Sequence, residues 1–169
     1  RHNKMNLDKC VVTNLKLADQ IWTTTPILAD KIRSYNKNIE VIKNAIDPTE
    51  RQYAYDDLSI DFDTFFYSGG NTHLKDLKMV GNAFNDYEFT VKSPSVPKGM
   101  EFDKRQISDI QDYAKDYEHC GICVIPLQEN TFNSCKSELK MIEAGHFAKP
   151  VMVSAVKPYN LLSTNKNSL

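Results

Sequence analysis

Apolar positions along this chain fall into two alternating rhythms. Leu7, Cys10, Val11, Leu15 and Ala18 recur at three- and four-residue intervals and predict a helix over 5–18. A β-branched run over 21–24 predicts a strand. Thr25-Pro26 then supplies a hydroxyl N-cap and a proline at the first helical position, opening a helix to about residue 35. A second strand is expected over 39–42, closed by Lys43-Asn44-Ala45-Ile46-Asp47-Pro48. Residues 50–59 are ambiguous, with room for one helical turn around Tyr53 and Tyr55. Phe65-Phe66-Tyr67 reads as a buried strand ending in Ser68-Gly69-Gly70-Asn71-Thr72. The helix after it runs to about Phe84, with Leu74, Leu77, Val80 and Phe84 on one face. Further strands are expected over 87–91, 121–126 and 151–155. A Pro/Gly loop occupies 93–99, and helices are expected over 107–117 (Ile107, Ile110, Ala114, Tyr117) and 134–147.

Strands alternating with helices of about 10–15 residues imply stacked βαβ units. The expectation is an α/β fold: a single Rossmann-like domain over residues 1–169, with a mainly parallel sheet flanked by helices. There is no internal repeat and no low-complexity tract. A length of 169 residues suffices to bury a core without disulfides or metal. Hydrophobic content of 41% and charged content of 25% are ordinary for a globular protein. A formal net charge of −1 argues against non-specific nucleic-acid binding. No run approaches the roughly 20 apolar residues of a membrane span, and Arg1-His2-Asn3-Lys4 is too polar to open a signal peptide. Four cysteines without a dense pattern favour reduced thiols, hence a cytoplasmic setting. The chain opens within a helical pattern and stops soon after a strand, as a piece of a longer protein would.

Candidate chemistry concentrates in Phe132-Asn133-Ser134-Cys135-Lys136-Ser137-Glu138-Leu139-Lys140-Met141-Ile142-Glu143-Ala144-Gly145, directly after the apolar run 121–127. A strand feeding a helix N-terminus is where α/β proteins hold phosphates, because free N–H groups and the helix dipole favour an anion. On a continuous helix Leu139 and Ile142 share one side, while Lys136, Lys140 and Glu143 share another. A lysine in the first helical turn opposes the dipole, at a cost of a few tenths to about 1 kcal/mol. A phosphate would reverse that sign. Glu143, seven residues on and roughly 10 Å along the axis, can accept sugar hydroxyls. The plain alternative is a solvated Lys/Glu face.

Several segments, in this order, resemble a family. Ala18-Asp19-Gln20-Ile21-Trp22-Thr23-Thr24-Thr25-Pro26-Ile27-Leu28-Ala29 is similar to the start of the donor-binding domain in the group-one, retaining glycosyltransferases with two Rossmann domains (the GT-B type). Ile39-Glu40-Val41-Ile42-Lys43-Asn44-Ala45-Ile46-Asp47 resembles that family's Val-Ile-Pro-Asn-Gly-Val-Asp turn. Tyr67 to Leu77 resembles the glycine loop of a subgroup carrying His-x-x-Asp-Leu, here His73 and Asp76. Pro126-Leu127, Asn133-x-x-Lys136-Ser137, Glu143-Ala144-Gly145 and Lys149-Pro150-Val151 are similar to its donor-site helix and following strand. The likeness spans residues 18–159.

The resemblance implies a glycosyltransferase, hexosyltransferase in type, that moves a sugar from a nucleotide diphosphate donor with retention and without a metal or cofactor. This chain would be its donor-binding C-terminal half, inactive alone, and an absent N-terminal domain would bind the acceptor. It casts Lys136 as the main charge on the diphosphate and Glu143 as the ribose ligand, together the catalytic pair. It casts Gly69, Gly70, His73, Asp76, Asn133, Ser137, Thr25 and Asn44 as donor-binding. Glycines in the loop let backbone approach phosphate and adopt φ > 0. Cys135 stands where the family carries its first glutamate, and the glycine loop offers His73 and Lys75 but no arginine. A non-catalytic sugar-nucleotide-binding module of the same fold is the alternative those departures suggest.

Each residue also has a plainer role: Thr25 as an N-cap, Asn44 and Gly69-Gly70 as turn formers, His73 bonded to nearby backbone, Asp76 in solvent. Cys120-Gly121-Ile122-Cys123 has the spacing of a redox pair and, with His119, Cys135 and His146, the donors of a zinc site. Cys123 falls inside a strand pattern rather than at a helix N-terminus, and structural zinc normally takes two close pairs, so both readings are weak. A receiver- or flavodoxin-like domain would need acids at strand ends, where Asp56-Asp57, Asp61 and Asp63 do not lie.

Overall fold

Strands β3 (Thr64–Ser68), β4 (Glu88–Lys92), β5 (Asp103–Arg105), β6 (Ile122–Ile125) and β7 (Val151–Val153) form one parallel sheet in the order β5-β4-β3-β6-β7. The computed structural model describes residues 4–56, 58–100, 102–105, 109 and 111–159. Ahead of the sheet come α1 (Lys4–Leu17), β1 (Ile21–Thr23), α2 (Pro26–Ile32) and β2 (Ile39–Val41). Helix α3 (Leu74–Lys78) follows β3, and α4 (Thr131–Ser134) and α5 (Leu139–His146) follow β6. Three 3₁₀ turns, Arg51–Tyr53, Asn71–His73 and Tyr113–Tyr117, complete the described elements.

The strand order has one reversal. The chain enters at β3 in the middle, steps outward through β4 to β5, then crosses back to β6 beside β3 and steps outward to β7. That is the doubly wound arrangement, in which the loops leaving the two central strands diverge to opposite faces and leave a crevice at the strands' carboxyl ends. Register is fixed by the two-residue period. Phe66 pairs with Cys123 and faces the cluster of Tyr53, Ala114, Tyr117, Ala144 and Phe147. Phe65 and Tyr67 face the opposite way, against Leu77, Phe89, Val91 and Val124. Each face is therefore covered by its own layer, α3 on one side and α5 with the Tyr113–Tyr117 turn on the other.

Strands β1 and β2 pair in parallel as a separate two-stranded sheet bridged by α2. Thr25 caps α2 as expected, its Oγ1 accepting from Leu28 N at 3.2 Å.

Four expectations change. The helix expected over 107–117 is, among its described residues, only the 3₁₀ turn Tyr113–Tyr117. The charged edge strand β5 carries no apolar signal. The helix after β3 is regular only over Leu74–Lys78 and continues as turns, although Val80 and Phe84 still reach the core. The helix expected over 134–147 is two helices, because the Asn130 side chain caps Asn133 N at 2.8 Å and starts α4 early. Of the remaining sequence readings, residues 1–3, Asp57, Ile107 and Ile110 lie outside the described residues.

Candidate functional site

Ser68 ends β3 and Leu127 lies just beyond β6, so the segments leaving the sheet at its reversal are Gly69–His73 and Gln128–Lys140. Most of the sequence-predicted residues meet there. Asp76 is the keystone. It is 3% exposed, and its Oδ1 accepts from Gln128 N at 2.8 Å and from Asn133 Nδ2 at 2.9 Å. Its Oδ2 accepts from His73 Nδ1 at 3.0 Å. Because a carboxylate only accepts, the His73 proton sits on Nδ1 and the lone pair on Nε2. Asn133 also donates to Gln128 O at 2.9 Å, locking α4 to the end of β6.

Lys136 lies in the break between α4 and α5, outside any helical turn, so the expected conflict with a helix dipole does not arise. Its Nζ stands 3.3 Å from both ring nitrogens of His73 and 4.8 Å from the centroid of Phe132. Lys140, expected on the helix side of Lys136 and Glu143, does not take the solvated-face alternative. Instead its Nζ donates to Ser68 O at 2.6 Å and sits 5.4 Å from the Tyr67 ring centroid. Lost hydration, then Lys136, pushes its pKa down to about 8. Burial also lowers Lys136. His73 is lowered by burial first and by the two lysines next, with Asp76 opposing.

Beneath these groups, the Tyr67 hydroxyl is buried with no hydrogen-bond partner among the described residues. Gly69 is required for a steric reason, since a Cβ there would overlap that hydroxyl. The expected left-handed conformation is absent: among the described glycines only Gly81 and Gly99 have positive φ. Gly70 has open space where a Cβ would be.

Glu143 departs furthest from the solvated-face alternative. It is 2% exposed, Tyr113 OH donates to its Oε1, and Tyr117 OH donates to its Oε2 at 3.3 Å. Burial raises its pKa, against the two tyrosines and Lys140. Both carboxylate oxygens are thereby engaged by tyrosine hydroxyls. Sequence reasoning missed both tyrosines; the 107–117 pattern marked Tyr117 as apolar and ignored its hydroxyl. Two other residues act as struts between the small sheet and this region. Thr25 Oγ1 donates to Cys135 O at 2.9 Å, and Asn44 Nδ2 donates to Ser137 Oγ at 2.5 Å.

The cysteine pair lies apart from this crevice. Cys120 and Cys123 Sγ atoms are 3.4 Å apart, both buried, and His146 bonds Tyr53 O at 2.8 Å instead of approaching them. Among the described residues no group of three or more His, Cys, Asp or Glu could hold a metal. A cleft of about 400 Å3 opens over β3 and β4, but Lys92 there is paired with Asp116, and paired charge does not draw an anion. No described helix is long and apolar enough to cross a membrane.

The crevice therefore gathers two ammonium groups, a neutral imidazole and an unmatched hydroxyl around one locked carboxylate. Such a set of cations and donors suits an anion. No known family profile and no curated protein sequence matches this chain.

Proposed function

We propose that the chain binds the diphosphate of a nucleotide-sugar donor in this crevice and is the donor-binding domain of a retaining, metal-independent glycosyltransferase. The observation that carries the reading is the convergence of Lys136 and Lys140 at the carboxyl ends of β3 and β6, with Asp76 already tied by three donors. Lys136 and Lys140 bring two positive charges to the crevice, where Asp76 and the buried Glu143 are the carboxylates that act on them. Such preorganised charge stabilises a leaving diphosphate as the bond to the sugar breaks. Lys136 and Lys140 take the phosphates, Tyr67 offers a further donor, His73 lines the site beside Lys136, and Gly69-Gly70 lets the loop approach. Asn133 and Asp76 hold the two loops in register. Thr25, Asn44 and Ser137 brace the break that carries Lys136. Glu143 accepts the ribose hydroxyls once Tyr113 moves. The acceptor comes from an N-terminal domain outside this sequence, and the resemblance to group-one glycosyltransferases supplies the reaction class.

A non-catalytic sugar-nucleotide-binding module is favoured by one structural observation, that Glu143 has both oxygens occupied, and by Cys135 standing where the resembled family carries its first glutamate. Calorimetric titration with UDP, GDP and ADP tests the shared claim. One diphosphate should bind, and Lys136→Ala and Glu143→Ala should each weaken it by more than about 1 kcal/mol, the scale of a charge-assisted hydrogen bond. Binding that neither substitution touches removes the site. Turnover of the sugar donor by the longer protein separates transferase from binding module.

A further inference from the structure

The imidazole of His73 faces charged groups on three sides, and their arrangement gives it a task beyond a static contact. From α3, Asp76 Oδ2 accepts its Nδ1 proton at 3.0 Å. From the α4–α5 break, Lys136 Nζ stands 3.3 Å from each ring nitrogen, and from α5 Lys140 adds a second positive charge. On β3 the Ser68 carbonyl and the Tyr67 ring hold Lys140 in its turn. Burial first, and the two ammonium groups next, hold the His73 pKa down although Asp76 is bonded at Nδ1. An Asp–His pair ordinarily favours the imidazolium, and here burial and two lysines together outweigh one carboxylate.

An arriving diphosphate reverses the balance. It neutralises the field of Lys136 and Lys140 and draws Lys136 away from the ring nitrogens. The Nε2 lone pair is then open, beside a phosphate oxygen that can accept a proton-bearing donor. We infer that His73 is a proton-coupled anchor: as a nucleoside diphosphate settles against Lys136 and Lys140, Nε2 takes one proton from solvent and donates it in a hydrogen bond to a phosphate oxygen, while Asp76 holds Nδ1. The inference rests on the diphosphate reading above. It deepens that reading by making binding dependent on pH and on the charge of the ligand. When the sugar leaves, the C–O electron pair stays on the terminal phosphate, the acceptor oxygen bonds the anomeric carbon and its proton goes to water. The bound diphosphate thereby gains one negative charge. An imidazolium already in contact meets that charge.

The test is proton counting. UDP, GDP and ADP are titrated by calorimetry at about pH 7 in buffers of different ionisation heat, where Lys140 remains mostly protonated. The protein should take up on the order of half a proton to one proton more than its His73→Gln variant, and the excess should fade above about pH 8 as the imidazole stays neutral. In parallel, the His73 ring resonances of the unaltered protein should move toward imidazolium values on saturation, a readout that stands even if the variant fails to fold. Tight binding with equal proton counts in both proteins and unmoved ring resonances overturns this inference and leaves the diphosphate site intact. If none of the three nucleotides binds, both fall together.

Discussion

An ammonium group enclosed by protein loses hydration that a single carbonyl does not replace, and Lys140 is in that position, with Ser68 O accepting its hydrogen bond and a lowered pKa of about 8. Its charge lowers fold stability at neutral pH. The sign follows from linkage. The unfolded chain keeps this proton up to about pH 10.4 whereas the native state releases it near 8, so Lys140 makes stability rise with pH between those values. Lys140→Met should raise the unfolding free energy at pH 7 by about 1–3 kcal/mol and abolish the rise between about pH 8 and 9.5, while weakening diphosphate binding. Urea unfolding at several pH values reads the first two effects. A destabilised variant at pH 7 would assign Lys140 a structural role. Spacing showed that Lys136, Lys140 and Glu143 share a side of a regular helix, but not what that side faces. The partners of Lys140 and Glu143 come from 72 and 26–30 residues away in sequence, and no local pattern carries that information.

Elements were legible where burial wrote them. Phe65-Phe66-Tyr67 and the apolar run beginning at Ile122 give β3 and β6 directly, because strands covered on both faces need apolar residues at successive positions. The edge strand β5, Asp103-Lys104-Arg105, shows the converse, since charge at an edge blunts pairing with other chains and also erases the strand signal. The break between α4 and α5 was hidden for another reason. Asn130 and Glu138 each begin a helix, and the long apolar pattern through Leu139 and Ile142 reads across the gap. Helix α5 ends in a Schellman closure: Lys149 N bonds Ala144 O at 2.9 Å, and Ala148 is held at φ 53. A left-handed alanine carries Cβ strain of about 1–2 kcal/mol that glycine lacks, offset by roughly 0.5–1 kcal/mol of glycine backbone entropy. Ala148→Gly should therefore raise stability by about 0.5–1 kcal/mol, visible as a higher urea midpoint with an unchanged slope. A lower midpoint would mean that the closure is not formed in solution.

At the scale of the whole molecule, the fold sets the site by topology. Reversal of strand order between β3 and β6 opens a crevice at the carboxyl ends of the sheet, and basic residues of the two segments leaving it there, His73 on one and Lys136 and Lys140 on the other, converge on it. The parallel α/β architecture was readable from the alternation of strands and helices. The reversal was not, since neighbours in a sheet are chosen by packing between distant segments. The most direct measurement is therefore a map of where a nucleoside diphosphate touches the protein, taken from amide chemical-shift changes as UDP, GDP and ADP are added. The account predicts that one of them shifts the amides of residues 68–73, 127–128 and 136–140, with those at the opposite strand ends, 62–64 and 119–121, unmoved. Shifts confined to the Lys92–Asp116 cleft or to the amino ends of the strands would contradict it.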